Sequence, residues 1–162
     1  MADTYLSEEE LIQFIATLPT RRMAAGALIR NEKNEFLAVQ PNYRDGWALP
    51  GGTIETGEAP QRGCFREVLE EVGLELVPGR LLVIFHGLQM GVWGDSSYYF
   101  YDGGVIDSDT PINVQSEELL GYRWVALEDA SQYFKHSLAD RLHTCYEALE
   151  SGEMIELSSE DS

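Results

Sequence analysis

The stretch GGTIETGEAPQRGCFREVLEEVGL, residues 51–74, constrains the fold of this chain more than any other. A glycine pair and a third glycine, Gly57, precede a run that starts at Pro60 and stops at Gly73. Proline suits the first turn of a helix and glycine its end. Cys64, Phe65, Val68, Leu69 and Val72 recur at helical spacing and form an apolar stripe that needs a sheet to cover it. Glu67, Glu70 and Glu71 stand at i, i+3 and i+4, so they share an arc of about 100° away from the centre of that stripe.

Such an acidic face has two readings. It is a solvated surface, or it holds a cation. Like charges at these spacings weaken a helix by a few tenths of a kcal/mol per pair, about the size of an ordinary surface effect. Glu70 and Glu71 also lie near the C-terminal end, where the helix dipole disfavours negative charge. Only Arg66 is near enough in sequence to compensate. A hard divalent cation such as Mg²⁺ takes carboxylates together with water and substrate phosphates. Gly51 and Gly52 let the backbone approach a ligand or a metal closely.

The rest of the chain supplies the expected sheet. SEEELIQFIATLP reads as an amphipathic helix capped by Ser7, with Glu10 in the capping-box position and Pro19 beyond its end. RRMAAGALIRN and EFLAVQPN read as strands about a turn at Lys33-Asn34. LELVPGRLLVIFHGLQ, SSYYFYDGGVI and GYRWVALED read as further strands, and two helical pieces follow near 127–133 and 137–150. This order predicts one α/β (α+β) domain, a mixed sheet with helices on its faces. Residues 1–19 are expected to be a helical extension, 20–150 the domain, and 151–162 an acidic, frayed tail.

Charge narrows the partners. Eleven basic residues against 28 acidic ones leave a net charge of −17, which argues against a large nucleic-acid surface. No apolar run reaches the roughly 20 residues that span a bilayer, so no membrane partner is expected. The start, MADTYLSEEE, lacks the basic opening of a secretory signal. Cys64 and Cys145 read as buried, reduced thiols, which fits a cytoplasmic location.

The acidic helix and its glycine loop resemble a known family. Gly52, five residues, Glu58, seven residues, Arg66-Glu67-Val68, one residue, Glu70-Glu71, one residue, Gly73, Leu74 is similar to the complete Nudix box, with every fixed position filled. WALPGG before it, with Trp47, Pro50 and Gly51, resembles the usual approach to that box. The resemblance implies an α/β/α sandwich around a mixed sheet. It also implies hydrolysis of a nucleoside diphosphate linked to another group, with Mg²⁺ or Mn²⁺. By position, Glu67, Glu70 and Glu71 would be metal ligands, with the Gly52 or Gly51 carbonyl in addition. Arg66 would orient a box carboxylate, and Glu58 would support the loop–helix arrangement. The base that activates water would be Glu67 or Glu118, the latter in the loop NVQSEELLGYRW.

Substrate contacts need cations and flat apolar surfaces. Arg44, just ahead of the glycine pair, ranks first among Arg30, Arg44, Arg62, Arg80 and Arg123. Trp93 and the Tyr98–Tyr101 strand, Tyr99 in particular, are stacking candidates. His86 reads as a hydrogen-bonded core histidine. The downstream proline of ADP-ribose hydrolases, the tyrosine of diadenosine-polyphosphate hydrolases and the coenzyme A signature are not seen. The expected substrate is therefore a small nucleotide, a (deoxy)nucleoside triphosphate or a nucleotide sugar. The competing reading is a non-catalytic module that binds or senses a nucleotide. The N-terminal helix is expected to cap its own domain or to cross to a second copy in a homodimer.

Overall fold

The structure, a computed structural model, describes residues 5–161, so the sequence expectations for residues 1–4 and 162 lie outside the described residues. One mixed sheet forms its centre. β1 (Arg22–Arg30), β2 (Phe36–Pro41), β4 (Leu81–Gly87), β5 (Ser96–Val105), β6 (Leu119–Val125) and β7 (Ile155–Ser158) lie in the order β6-β2-β1-β5-β4-β7, and the short β3 (Gly51–Thr53) pairs with β1 off that path. β1 runs parallel to β5, and β4 runs parallel to β7. The other pairings are antiparallel.

Two apolar layers fill the two faces. On one, α2 (Pro60–Val72) places Cys64, Phe65, Val68 and Val72 against Ala25, Ala27 and Ile29 of β1 and Leu37 and Val39 of β2. On the other, α4 (His136–Ser151) places Ala139, Leu142, Cys145 and Ala148 against Leu28, Phe36, Leu82 and Phe100. Helix, sheet and helix make the α/β/α sandwich that the family resemblance implied, with the mixed sheet and face-packed helices that the element order predicted. The short α3 (Ala130–Tyr133) leads into α4. Cys64 and Cys145 are buried and free.

Local chemistry explains several boundaries. Asn34 adopts a φ of 61°, a left-handed turn that asparagine tolerates, while the Asn31 side chain accepts from the Lys33 and Glu35 amides. Gly73 caps α2 with a φ of 70°. Ser7 and Glu10 complete the capping box of α1 (Glu8–Ile15).

Three expectations change. Leu69 is exposed, because it sits at the outer edge of the α2 stripe, and Glu71 at the inner edge is buried in its place. Residues 151–158 do not fray: α4 ends at Gly152, and the chain returns to β7, whose backbone pairs with β4. Ile155 and Leu157 then cover the core, an apolar pair hidden within an acidic composition. On α1 the apolar residues Leu11, Ile12, Phe14 and Ile15 remain exposed rather than covering the domain.

Leu142 has no exposed surface and stands at the centre of the α4 layer. Leu142→Ala is expected to lower stability by about 3 kcal/mol. Denaturant unfolding measures it, and a loss well under about 1 kcal/mol would contradict the packing of α4 on the sheet.

Candidate active site

The glycine pair is required by contact, not by turn geometry alone. A Cβ on Gly51 would stand 2.1 Å from the Ala25 carbonyl oxygen, because β3 lies directly on β1. A Cβ on Gly52 would stand 2.7 Å from the Glu67 carboxylate carbon. The loop backbone and the α2 carboxylates therefore face each other with no side chain between them.

Each carboxylate of the box has its own environment. Glu71 lies about 20° around the helix from Cys64, on the border of the apolar stripe, and is only 8% exposed. Its carboxylate accepts a 3.0 Å hydrogen bond from the Gly51 amide. Burial pushes its carboxyl up to about 7, with the charges of Glu67, Glu118 and Glu70 adding to the effect and the Gly51 amide opposing it. Glu67 is half-buried, and burial likewise raises its carboxyl above the usual range, against the opposing bond from Arg66. Glu70 stands at the solvent edge.

Arg66 joins these groups. Its Nε and Nη2 donate to Glu58 at 2.6 and 3.0 Å, and its Nη1 donates to Glu67 and Glu70, both at 3.1 Å. The paired bond to Glu58 is the main reason the guanidinium is held above its ordinary pKa. The same bond, with the Glu55 amide, holds the Glu58 carboxyl down at about 2. Glu58 thus ties the loop before α2 to the helix through Arg66.

Glu118 reaches the site through the long loop before β6. That loop is docked on the C-terminal end of α2, where the Asn113 and Gln115 amides donate to the Val72 and Glu71 carbonyls at 3.0 and 2.8 Å. The Asn42 amide donates to the Glu118 carbonyl at 2.9 Å. The Glu118 charge is near enough to raise both Glu67 and Glu71.

Beside these carboxylates lies a recess of about 170 Å³, lined by Arg44, Gly51, Gly52, Glu71 and Tyr98 among others. Arg44 lines this recess, and the other two substrate candidates, Trp93 and Tyr99, do not. Tyr99 faces the α2 layer, because strand residues alternate and its neighbour Tyr98 takes the opposite face. Trp93 lies in a short exposed turn, where its carbonyl accepts from Arg22. Of the candidate strand Tyr98–Tyr101 it is Tyr98, not the favoured Tyr99, that lines the recess. Its hydroxyl passes over Gly26, where a Cβ would stand 2.2 Å away. The available signal was Gly26 itself, the one glycine in the run RMAAGALIR.

The remaining arginines are occupied elsewhere. Arg30 faces Asp102, Arg80 donates to the Ala148 carbonyl, and Arg123 stacks over Trp47 and Tyr133. Arg62 lies near Glu58. His86 bonds Ser97 and Glu156 through its two ring nitrogens, a hydrogen-bonded histidine as expected.

The donor set fits a hard divalent cation. Glu58, Glu67, Glu70 and Glu71 offer only oxygen, with one guanidinium among them, and Glu71 is buried with an amide as its partner. Among the described residues no three acidic, imidazole or thiol groups already converge as a metal cluster. Arg66 and the Gly51 amide occupy the carboxylates instead.

Comparison with known proteins agrees with this geometry. Residues 20–146 match the NUDIX domain. The chain is 30% identical over 121 residues to the RNA pyrophosphohydrolase of Hydrogenovibrio crunogenus, a match covering 64% of this chain and 73% of that protein. It is 30% identical over 122 residues to Nudix hydrolase 5 of Arabidopsis thaliana, covering 70% of this chain and 40% of that protein. The MutT protein of Methanosarcina mazei superposes with a TM-score of 0.67 at 28% identity, over 85% of this chain and 99% of that one. The chain belongs to the Nudix family. It spans less than half the length of several curated relatives that it matches. Among the described residues no helix is long and apolar enough to cross a membrane.

The Glu58–Arg66 pair gives the protein a stability signature. The folded Glu58 carboxyl lies near 2, below its ordinary 4.5. Its contribution is therefore complete above pH 4.5 and is lost as the pH falls through about 2. Glu58→Gln is expected to flatten the stability–pH curve across that window in denaturant titrations. Equal slopes for the two proteins would show that the pair does not couple to folding.

Proposed function

We propose that the chain uses Mg²⁺ or Mn²⁺ to hydrolyse a phosphoanhydride in a nucleoside diphosphate linked to another group, with a (deoxy)nucleoside triphosphate or a nucleotide sugar as the substrate class. The observation that carries this reading is the shared recess, in which Arg44 and the Glu71 carboxylate meet at the Gly51-Gly52 backbone. One wall suits a cation and the other suits a phosphate. The likeness to the RNA pyrophosphohydrolase of Hydrogenovibrio crunogenus supports cleavage of a pyrophosphate. The net charge of −17 supports a small nucleotide over a long nucleic acid.

Glu67, Glu70, Glu71 and the Gly52 carbonyl would hold the cation, with Gly51 beside it. When bound, the cation neutralises phosphate oxygens and acidifies water. The protein's own groups do the rest. Arg44 binds a phosphate oxygen. Arg66 keeps Glu67 and Glu70 oriented. Either Glu67 or Glu118 takes the proton from the attacking water. A cytoplasmic setting fits the two buried free thiols.

Metal-stripped protein, assayed with nucleoside triphosphates and nucleotide sugars, is expected to release phosphate or pyrophosphate only when Mg²⁺ or Mn²⁺ is restored. Binding without turnover across the panel would replace the hydrolase with a nucleotide-binding module. Glu118→Gln is expected to reduce kcat by about a hundredfold or more. Unchanged kcat at saturating substrate and metal would assign the base to Glu67.

A further inference from the structure

No residue of α1 is buried. Leu11, Phe14 and Ile15 stand at i, i+3 and i+4 on one face, Ile12 borders it, and Glu9 and Gln13 lie opposite. All four apolar side chains are at least 45% exposed, as is Leu18 just beyond the helix. Neither apolar layer of the domain includes a residue of α1. Every hydrogen bond described for residues 7–18 stays within that segment. A helix of eight residues is marginal in water by itself, even with a capping box, and takes most of its stability from a covered apolar face.

A second bare patch stands at the root of this helix. Val92 and Trp93 are exposed in the short turn at residues 91–93, and Met90 precedes them, also exposed. That turn is fastened to the start of β1. The Arg22 amide donates to the Asp95 carbonyl at 3.2 Å, the Arg22 side chain donates to the Trp93 carbonyl at 2.7 Å, and Arg21 faces Asp95 at 3.3 Å. The chain from Leu18 to Arg21 spans about 10 Å at most. Within one copy neither patch covers the other, and Val92 keeps 95% of its surface in the open. Together the two patches expose on the order of 800 Å² per copy, the share one partner gives to a standard interface and more than a monomer ordinarily leaves bare.

We propose that α1 is an interface with a second copy of this chain, the two helices packed antiparallel about a two-fold axis so that the start of each reaches the turn at residues 90–93 of the other. Two-fold pairing sets a surface against its own image, so each copy offers a helix and receives one. Charge fits this direction. α1 opens on Glu8, Glu9 and Glu10, and residues 5–18 hold no lysine or arginine. Arg21 and Arg22 follow its end, with Asp95 as the carboxylate facing them. Antiparallel packing sets the acidic start of one helix beside the basic root of the other, whereas parallel packing sets like against like. The net charge of −17 opposes self-association in general, so these ends supply the local attraction. A lipid surface is a poorer occupant, because helices that lie on membranes carry lysine and arginine on their polar face.

Sedimentation velocity on the full, metal-free chain tests this, and the readout owes nothing to turnover. A dimer is expected. Phe14→Glu on the helix and Val92→Glu in the turn are each expected to weaken it by about tenfold or more, the cost of spoiling a well-buried interface contact. Both side chains are exposed in their own copy, so each variant is expected to keep the native near-UV circular dichroism. A chain still monomeric at roughly 100 μM, above the micromolar range in which interfaces of this size bind, overturns the proposal. So does a dimer that survives either substitution undiminished. A monomer that sediments with phosphatidylcholine vesicles would give the face to lipid and overturn it as well.

Discussion

The hydrogen bond from the Gly51 amide to the buried Glu71 carboxylate joins the two halves of the site. One end belongs to β3, which lies on β1 at the middle of the sheet. The other belongs to α2, whose apolar stripe covers that sheet. The bond is made where Glu71 sits on the border of the stripe, so a carboxylate is carried inward with the core packing. Burying such a group is costly unless a donor meets it. The bare Gly51 backbone supplies that donor because no Cβ fits there.

Around this point negative charge is concentrated rather than dispersed. Glu58 and Arg66 neutralise one another in a paired bond, while Glu67 and Glu70 share the remaining guanidinium donor. Among the described residues Glu71 and Glu118 add charge with no ion pair of 4.0 Å or less, Arg44 standing across the recess from Glu71. Burial raises the carboxyls of Glu67 and Glu71, and the neighbouring acidic charges add to it. A site built this way is complete in its positioning and incomplete in its charge. That is the electrostatic condition under which a divalent cation and a phosphate bind together.

Much of this was legible in the chain. The spacing of Glu67, Glu70 and Glu71 placed three carboxylates together, and the element order predicted the layered sheet. The closeness of Arg44 to the glycine pair in sequence is matched by its place in the lining of the recess. The substrate wall was harder to read. Tyr98 and Tyr99 are adjacent tyrosines, and a two-residue period says that they part without saying which way. The residues after Gly152 were acidic enough to look solvated, yet Ile155 and Leu157 pack on the core. Composition averages over such alternation and hides it.

The sequence by itself determined the helix, its carboxylate face and its glycine hinge, because each depends on contacts within a few residues. Tertiary structure decided which of those carboxylates is buried. It also decided that a loop over 40 residues further along brings Glu118 to them, and that Arg141 lies on the Phe85 ring. Those outcomes depend on strand order and on which side of the sheet each residue faces. Neither is encoded in local periodicity, since a strand's alternation is unchanged when the whole strand is turned over.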